Sequence, residues 1–358
     1  MPKISVCIPV YNGSRYIAST IRSVLNQDFM DYEIIISDNA STDDTIEIVK
    51  SFDDSQIHLH RNLNNIGMYP NFNRCINLAC GDYIKFLLSD DLFVTPHALA
   101  KYVRVLDENP DVRIVSSNYI PIDSKSLFLN VRSGSDFERR TGRFVRTHLK
   151  LTNGNPLITE NTVFINNSNE RIDVENCLIP DRQYPGKVIL NIIYRSNTDR
   201  WILTPTHACF RRSMIDKIGI FNEDIVGGWG TETEYWPRIL ARSDLFRIGY
   251  PLVAFRLHAD SGTEAVFKKG SQYRDLQFYY KMIFKNCKTK LTYTSRLLGP
   301  LSFQYNIIKD FLRKAAKSEL GYWKHIKWAF DQDILNFVLA VFTFPWLSLL
   351  KRYGRDSF

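Results

Sequence analysis

Apolar and polar positions over the first 115 residues switch repeatedly between two periods. Ile4–Val10 has the length and composition of a strand, and Tyr16, Ile17, Ile21, Val24 and Leu25 then recur at helical spacing. Residues 33–37 hold three consecutive isoleucines, as in a strand buried on both faces. Ser41 and Asp44 stand at capping-box spacing ahead of Ile46, Ile48, Val49 and Phe52. Residues 57–60 form a third strand, with His58 and His60 on its polar side. Phe72, Cys75, Ile76 and Ala79 share a helical face that stops at Gly81. Residues 82–88 are a fourth strand, Leu99, Tyr102, Val103 and Leu106 mark another helix, and residues 111–116 are a fifth strand. This rhythm predicts an α/β fold, a parallel sheet covered by helices on both faces.

The pattern then weakens. Residues 120–200 are polar and poorly periodic and predict an irregular insertion. Beyond Trp201 it recovers, with helices over 214–218 and 232–241 and strands over 245–250 and 252–257. After about residue 265 the chain reads as helical, basic and aromatic. The expected organisation is a nucleotide-binding half (1–118), an acceptor-binding half containing the insertion (119–265), and a helical basic region (266–358).

Composition excludes disorder: 44% of the 358 residues are hydrophobic and 23% charged, the balance of a chain with a real core. The net charge of +8 is not spread evenly. From Lys268 onward there are 17 Lys/Arg against 6 Asp/Glu, so this segment carries +11 and the remainder −3. Such asymmetry predicts an anionic partner for the C-terminal quarter. Residues 334–350 are almost wholly apolar, end at Lys351-Arg352, and follow Trp323, Lys324, Lys327 and Trp328. That run is short for a bilayer span and suits a segment lying in a membrane interface. No nucleic-acid motif accompanies the charge, so nucleic acid is not expected as a partner. The six cysteines form no CxxC pair and read as free thiols in a reducing compartment; the opening residues lack signal-peptide character. A cytoplasmic protein, peripheral on the inner membrane face, is expected.

Candidate chemistry gathers at strand ends, where ligands bind in parallel α/β sheets. Tyr11-Asn12-Gly13 follows the first strand, Asp38-Asn39 the second, and Ser89-Asp90-Asp91 the fourth. Neither GxGxxG nor GxxxxGK[ST] occurs, which argues against dinucleotide enzymes and P-loop nucleotidases. Carboxylates without a glycine-rich cradle suit a divalent cation holding a diphosphate.

The stretches ISVCIPVYNGSRYIASTIRSVLNQ, YEIIISDNASTDDT and NNIGMYPNFNRCINLACGDYIKFLLSDDLF, in this order, resemble glycosyltransferase family 2. A second part, from TPTHACFRRSMIDKIGIFNEDIVGGWGTETEYWPRI through FRLHADS, is similar to that family's acceptor half. The resemblance implies a GT-A fold and an inverting transferase that uses a nucleotide-diphosphate sugar, Mn²⁺ or Mg²⁺, and a glycan or lipid-linked acceptor in surface-polysaccharide assembly. It assigns Pro9, Tyr11, Asn12, Asp38, Asn65, Gly67, Asn73 and Asp90 to the nucleotide. Asp90, Asp91 and His258 go to the metal, and Glu232, with Glu234 behind it, to the catalytic base. The chain departs from the commonest pattern at Leu88, where an aspartate usually stands, at Asn39 for an acid, at Phe72 for an arginine, and at Glu232 for an aspartate. Two rival readings are a sugar nucleotidyltransferase, which would need an early Gly/Lys-rich phosphate loop, and a non-catalytic nucleotide-sugar-binding or scaffold protein.

Overall fold

The computed structural model describes residues 1–126, 150–153, 170–173, 180–196, 204–224, 230–259, 261 and 272–303. The arginines at 139, 140, 143 and 146, the 227–229 loop and the apolar 334–350 run lie outside these residues. Two compact units are present. The first takes in 1–185, 201–224 and 243–265, and the second 186–200, 225–242 and 266–358. The boundary expected at 118 falls inside a strand, because the later half of the first unit completes the same sheet.

That sheet begins with β1 (Ile4–Val10), β2 (Tyr32–Asp38), β3 (Ile57–Arg61) and β4 (Tyr83–Phe86). These alternate with α1 (Ile17–Leu25), α2 (Thr45–Lys50) and α3 (Met68–Leu78). There follow β5 (Leu92–Phe93), α4 (Ala98–Glu108), β6 (Ile114–Ile122), β7 (Lys150–Asn153), β8 (Glu170–Asp173) and β9 (Arg182–Tyr184). After α5 (Gly186–Ser196) come β10 (Ala208–Arg211), α6 (Ile215–Ile218), α7 (Glu232–Leu240), β11 (Leu245–Arg256) and α8 (Gln272–Cys287). The main sheet runs β3-β2-β1-β4-β10-β6-β11-β5, with β9 also on β11; β7 and β8 pair separately.

The sheet is mixed, where a parallel one was expected. β3, β2, β1 and β4 are parallel, as are β6 and β11. β10 is antiparallel to both β4 and β6 and wedges between them. Four residues in TPTHACFRR were too short a run to read as a strand. The two strands expected over 245–257 are one, with register shifts at Pro251, which lacks the N–H a regular ladder needs. β1 and β2 are buried throughout, as strands covered on both sides must be. The expected faces of α1, α3 and α4 are the buried ones. The capping box does not form. α2 has no side-chain cap, because the Ser41 hydroxyl accepts the Asn12 amide instead.

Glu33 interrupts the β2 apolar run yet is buried. It accepts the Ser5 hydroxyl (2.5 Å) and the Cys80 amide (2.7 Å), while Gly81 donates its amide to Ser5 Oγ (2.8 Å). This knot closes the bottom of the sheet around β1. In the second unit, α5, α7 and α8 pack together, with Tyr194 stacked on Tyr280 at 4.3 Å.

A Cβ on Gly81 would stand 2.7 Å from the Ser5 backbone nitrogen, a position no side-chain motion relieves. Gly81→Ala is expected to lower stability by about 1–3 kcal/mol, seen as a shift of the urea midpoint at unchanged slope.

Candidate functional site

The carboxyl ends of β1, β2 and β4 place three polar loops at one edge of the sheet. The first two are laced together by backbone amides. Asn12 donates to Ser41 Oγ (2.9 Å), Gly13 to Thr45 Oγ1 (2.9 Å) and Ser14 to the Asp43 carboxylate (3.0 Å). Asn12 Oδ1 accepts the Thr42 amide in return (2.8 Å). Asn12 (φ 50°) and Ala40 (φ 63°) occupy the left-handed region. For alanine this costs on the order of 1 kcal/mol or more, strain of the kind that gathers at functional loops. Pro9 is buried in register with Ser37, and Tyr11 is half exposed.

Asp38 closes β2 with its carboxylate fully buried, accepting the Ser41 amide (3.1 Å) and facing Arg61 Nε at 3.4 Å. Asn39, the departure from an acid, has a specific task. Its amide nitrogen donates to Asn65 Oδ1 (2.9 Å) and the Gly67 carbonyl (3.1 Å), and its oxygen accepts from Asn62 Nδ2 (3.0 Å) and the Ile66 amide (2.9 Å). A carboxylate has no donor and could not hold both sides of that loop. Asn65 and Gly67 therefore sit on a loop tied to the end of β2, with Gly67 at φ 95°. Asn73 is used differently. It is buried in α3, and both ends of its amide bind residues 221–223, through Phe221 N–H (2.9 Å), the Phe221 carbonyl (2.9 Å) and Glu223 Oε1 (2.7 Å).

The two aspartates after β4 have unlike surroundings. Asp91 is 0% exposed. Its Oδ2 accepts the Thr206 hydroxyl (2.5 Å), its Oδ1 the Arg256 amide (2.9 Å), and its carbonyl the Thr20 hydroxyl (2.9 Å). Burial pushes its carboxyl well above the ordinary range, and the neighbouring Asp90 charge adds to the push. Asp90 keeps 26% of its side chain exposed and holds His258 Nε2 at 2.9 Å. His258 is nearly buried and lies against the Tyr16 ring at 5.0 Å. On the same ring, at 4.4 Å, sits the Arg256 guanidinium, which donates to the Asp90 carbonyl (2.7 Å), the Asp123 carbonyl (2.8 Å) and Ser126 Oγ (2.9 Å). Three buried polar atoms here have no hydrogen-bond partner: Tyr16 Oη, Arg256 Nη2 and His258 Nδ1. Buried polar groups are rarely left so.

Asp90 and His258 are thus the pair able to take a cation. Asp91 lies deeper, with each of its carboxylate oxygens accepting one hydrogen bond. Among the described residues no three acids, histidines or cysteines converge as a metal cluster. Glu232 and Glu234 open α7 in the second unit. Glu234 is fully buried and binds Arg238 one turn on (2.7 Å); burial raises its carboxyl and Arg238 pulls it back. Glu232 is half-buried. Tyr16, Thr20, Thr206, Arg256 and Lys85 were not singled out from sequence. Arg256 had the strongest signal, lying two residues before His258 in FRLHADS.

The sheet order, polar strand ends and flanking helices define a GT-A type nucleotide-binding fold. Residues 5–172 match the family model described as glycosyl transferase family 2. An uncharacterized protein of Mycobacterium tuberculosis is 27% identical over 265 residues, 74% of this chain and 70% of that protein. The GalNAc(5)-diNAcBac-PP-undecaprenol beta-1,3-glucosyltransferase of Campylobacter jejuni is 40% identical over 25% of this chain and 30% of its own. The abequosyltransferase RfbV of Salmonella typhimurium is 39% identical over 30% and 34%. The chain therefore spans about a third of the length of these two named relatives. In structure, residues 1–349 of S. aureus TarS in complex with UDP-GlcNAc match at a TM-score of 0.52 with 15% identity, over 96% of this chain and 91% of that one; this likeness is one of fold.

The unlike aspartates predict unlike variants. Asp91→Asn replaces one of the two accepting oxygens by an amide donor, which then faces a donor, and is expected to lower stability by about 1–3 kcal/mol, while Asp90→Asn leaves the melting midpoint nearly unchanged.

His207, fully buried in the turn before β10, is pushed down to about 3 by burial and by the nearby Lys85 charge. The folded chain then binds fewer protons than the unfolded chain between pH 6.5 and about 3, so stability falls as pH drops through that window. A loss of about 2 kcal/mol between pH 7 and pH 5 is expected from this group, and urea titrations of His207→Gln should show it diminished.

Proposed function

We propose that the protein is an inverting glycosyltransferase. It moves one sugar from a nucleotide-diphosphate sugar to a hydroxyl of a glycan or lipid-linked acceptor in polysaccharide biosynthesis. The observation that carries the reading is the half-open Asp90–His258 pair, set among three unpartnered buried polar atoms at the strand ends of a family 2 domain. The names of the C. jejuni and S. typhimurium relatives agree with sugar transfer as the chemistry.

In this reading Asp38 and the loops at Tyr11-Asn12 and Asn65–Gly67 hold the nucleoside, and the diphosphate lies toward Asp90. Asp90 and His258 hold Mn²⁺ or Mg²⁺, whose bound form supplies Lewis-acid neutralisation of the leaving diphosphate. Arg256 and Tyr16 offer their free polar atoms to the same anion. The acceptor oxygen forms a bond to the anomeric carbon as the bond from that carbon to the diphosphate oxygen breaks, and configuration inverts. The hydroxyl proton passes to a carboxylate, Glu232 by its place in the motif. Glu234 serves this less well, since Arg238 already holds one of its oxygens. The basic segment after Lys268 docks the protein on the anionic cytoplasmic membrane face, beside a lipid-linked acceptor. No helix among the described residues is long and apolar enough to cross a membrane.

Calorimetry with nucleoside diphosphates, with and without Mn²⁺, and mass-spectrometric detection of transfer from a panel of nucleotide sugars onto membrane extract test the reading. Metal-dependent binding lost in Asp90→Ala is expected, along with transfer reduced about 10²–10⁴-fold in Glu232→Gln at unchanged binding. Absence of nucleotide binding would sink the reading, and binding without transfer of any sugar would favour a non-catalytic nucleotide-sugar-binding role.

A further inference from the structure

Lys85 is a lysine where the core calls for a hydrocarbon. It lies inside β4, in register with Val6 on one side and Cys209 on the other, and is fully buried. Its side-chain nitrogen stands 4.7 Å from the Tyr102 ring centroid and 5.7 Å from that of Phe93. Burying an amine here works against stability, and its proton affinity is depressed to about 7 by that burial. A volume-matched apolar residue would serve packing as well or better.

The nitrogen has two partners. It donates to the carbonyl of Thr206 in a close contact and to that of Ala208 at 3.4 Å. Thr206 is the residue whose hydroxyl donates to Asp91 Oδ2 (2.5 Å) and accepts the Leu88 amide (3.2 Å). One threonine therefore grips the Asp90-Asp91 turn at two points, and Lys85 grips that threonine by its backbone. On its other oxygen Asp91 takes the Arg256 amide, two residues before His258. The chain of contacts runs from the middle of the sheet to both members of the open pair without touching ligand space.

We propose that Lys85 is a positioning residue: through Thr206 it sets the place of the Asp90-Asp91 turn and of the strand end bearing His258. The alternative is an amine tolerated in the core with no effect on that turn.

Lys85→Met keeps the volume and removes the nitrogen. Two readouts are taken on the full chain. The first is calorimetric affinity, with Mn²⁺, for whichever of UDP, GDP, CDP or dTDP the wild-type protein binds, which rests on the proposed nucleotide site. It is expected to weaken about 10-fold or more, with the melting midpoint held or raised. The second needs no ligand. In ¹⁵N-arginine-labelled protein the Arg256 amide, which hydrogen-bonds to Asp91, is expected to shift. Thr206→Val, which leaves Lys85 in place, should give the same two changes, and Thr206→Ser should restore both. The Lys85→Met, Thr206→Val double variant should bind no more weakly than Thr206→Val alone, since both act along one path. Unchanged affinity with an unmoved Arg256 amide in Lys85→Met would overturn the proposal, as would additive losses in the double variant. If the wild-type protein bound no nucleoside diphosphate of the panel, the functional reading would fail, and the Arg256 amide would still decide the role of Lys85.

Discussion

A carboxylate sealed from water must find donors inside the protein, and Asp91 finds them on two segments far apart in sequence. The Thr206 hydroxyl comes from the turn before β10, and the Arg256 amide from the end of β11. The Thr20 hydroxyl of α1 reaches the carbonyl of the same residue. The first domain's early and late halves are joined at this point. Asp90 is left on the outer side of the anchor, partly exposed and bonded to His258. A pair of adjacent acids thus divides into one sealed in the core and one that keeps contact with solvent, because the backbone turns between them.

The same division of labour appears among the asparagines. Asn39 uses all of its amide to hold the 62–67 loop, and Asn73 uses all of its amide on residues 221–223. Asn12, Asn64 and Asn65, by contrast, lie exposed in loops at the strand ends. Polar residues at these strand ends are therefore largely framework, while Tyr16, Arg256 and His258 each keep one buried polar atom without a partner.

Much of this was legible in the sequence. Ile4–Val10, the triple isoleucine of β2 and the faces of α1, α3 and α4 follow from burial periodicity alone, because those elements are local and their apolar sides are unbroken. The three strand ends were legible for the same reason. What escaped was non-local. β10 is four residues long and owes its existence to β4 and β6 on either side. Ser41 forsook the helix cap for a partner 29 residues away. Thr206 has no motif of its own and acquires meaning only once Asp91 is placed against it. Lys85 passed unremarked inside the fourth strand, since its partner, the Thr206 carbonyl, lies 121 residues away.

The wedge of β10 between β4 and β6 also orders events during synthesis. Lys85 and Cys209 are register partners, so the middle of the sheet closes only after more than a hundred further residues have left the ribosome. Until then β4 and β6 each present an open edge, the kind of surface that recruits strands from other chains. Contacts of such sequence separation also slow folding. The nascent first half is accordingly the species that chaperones would need to shield, and shortened versions of this chain ending before residue 204 would carry that exposed seam permanently.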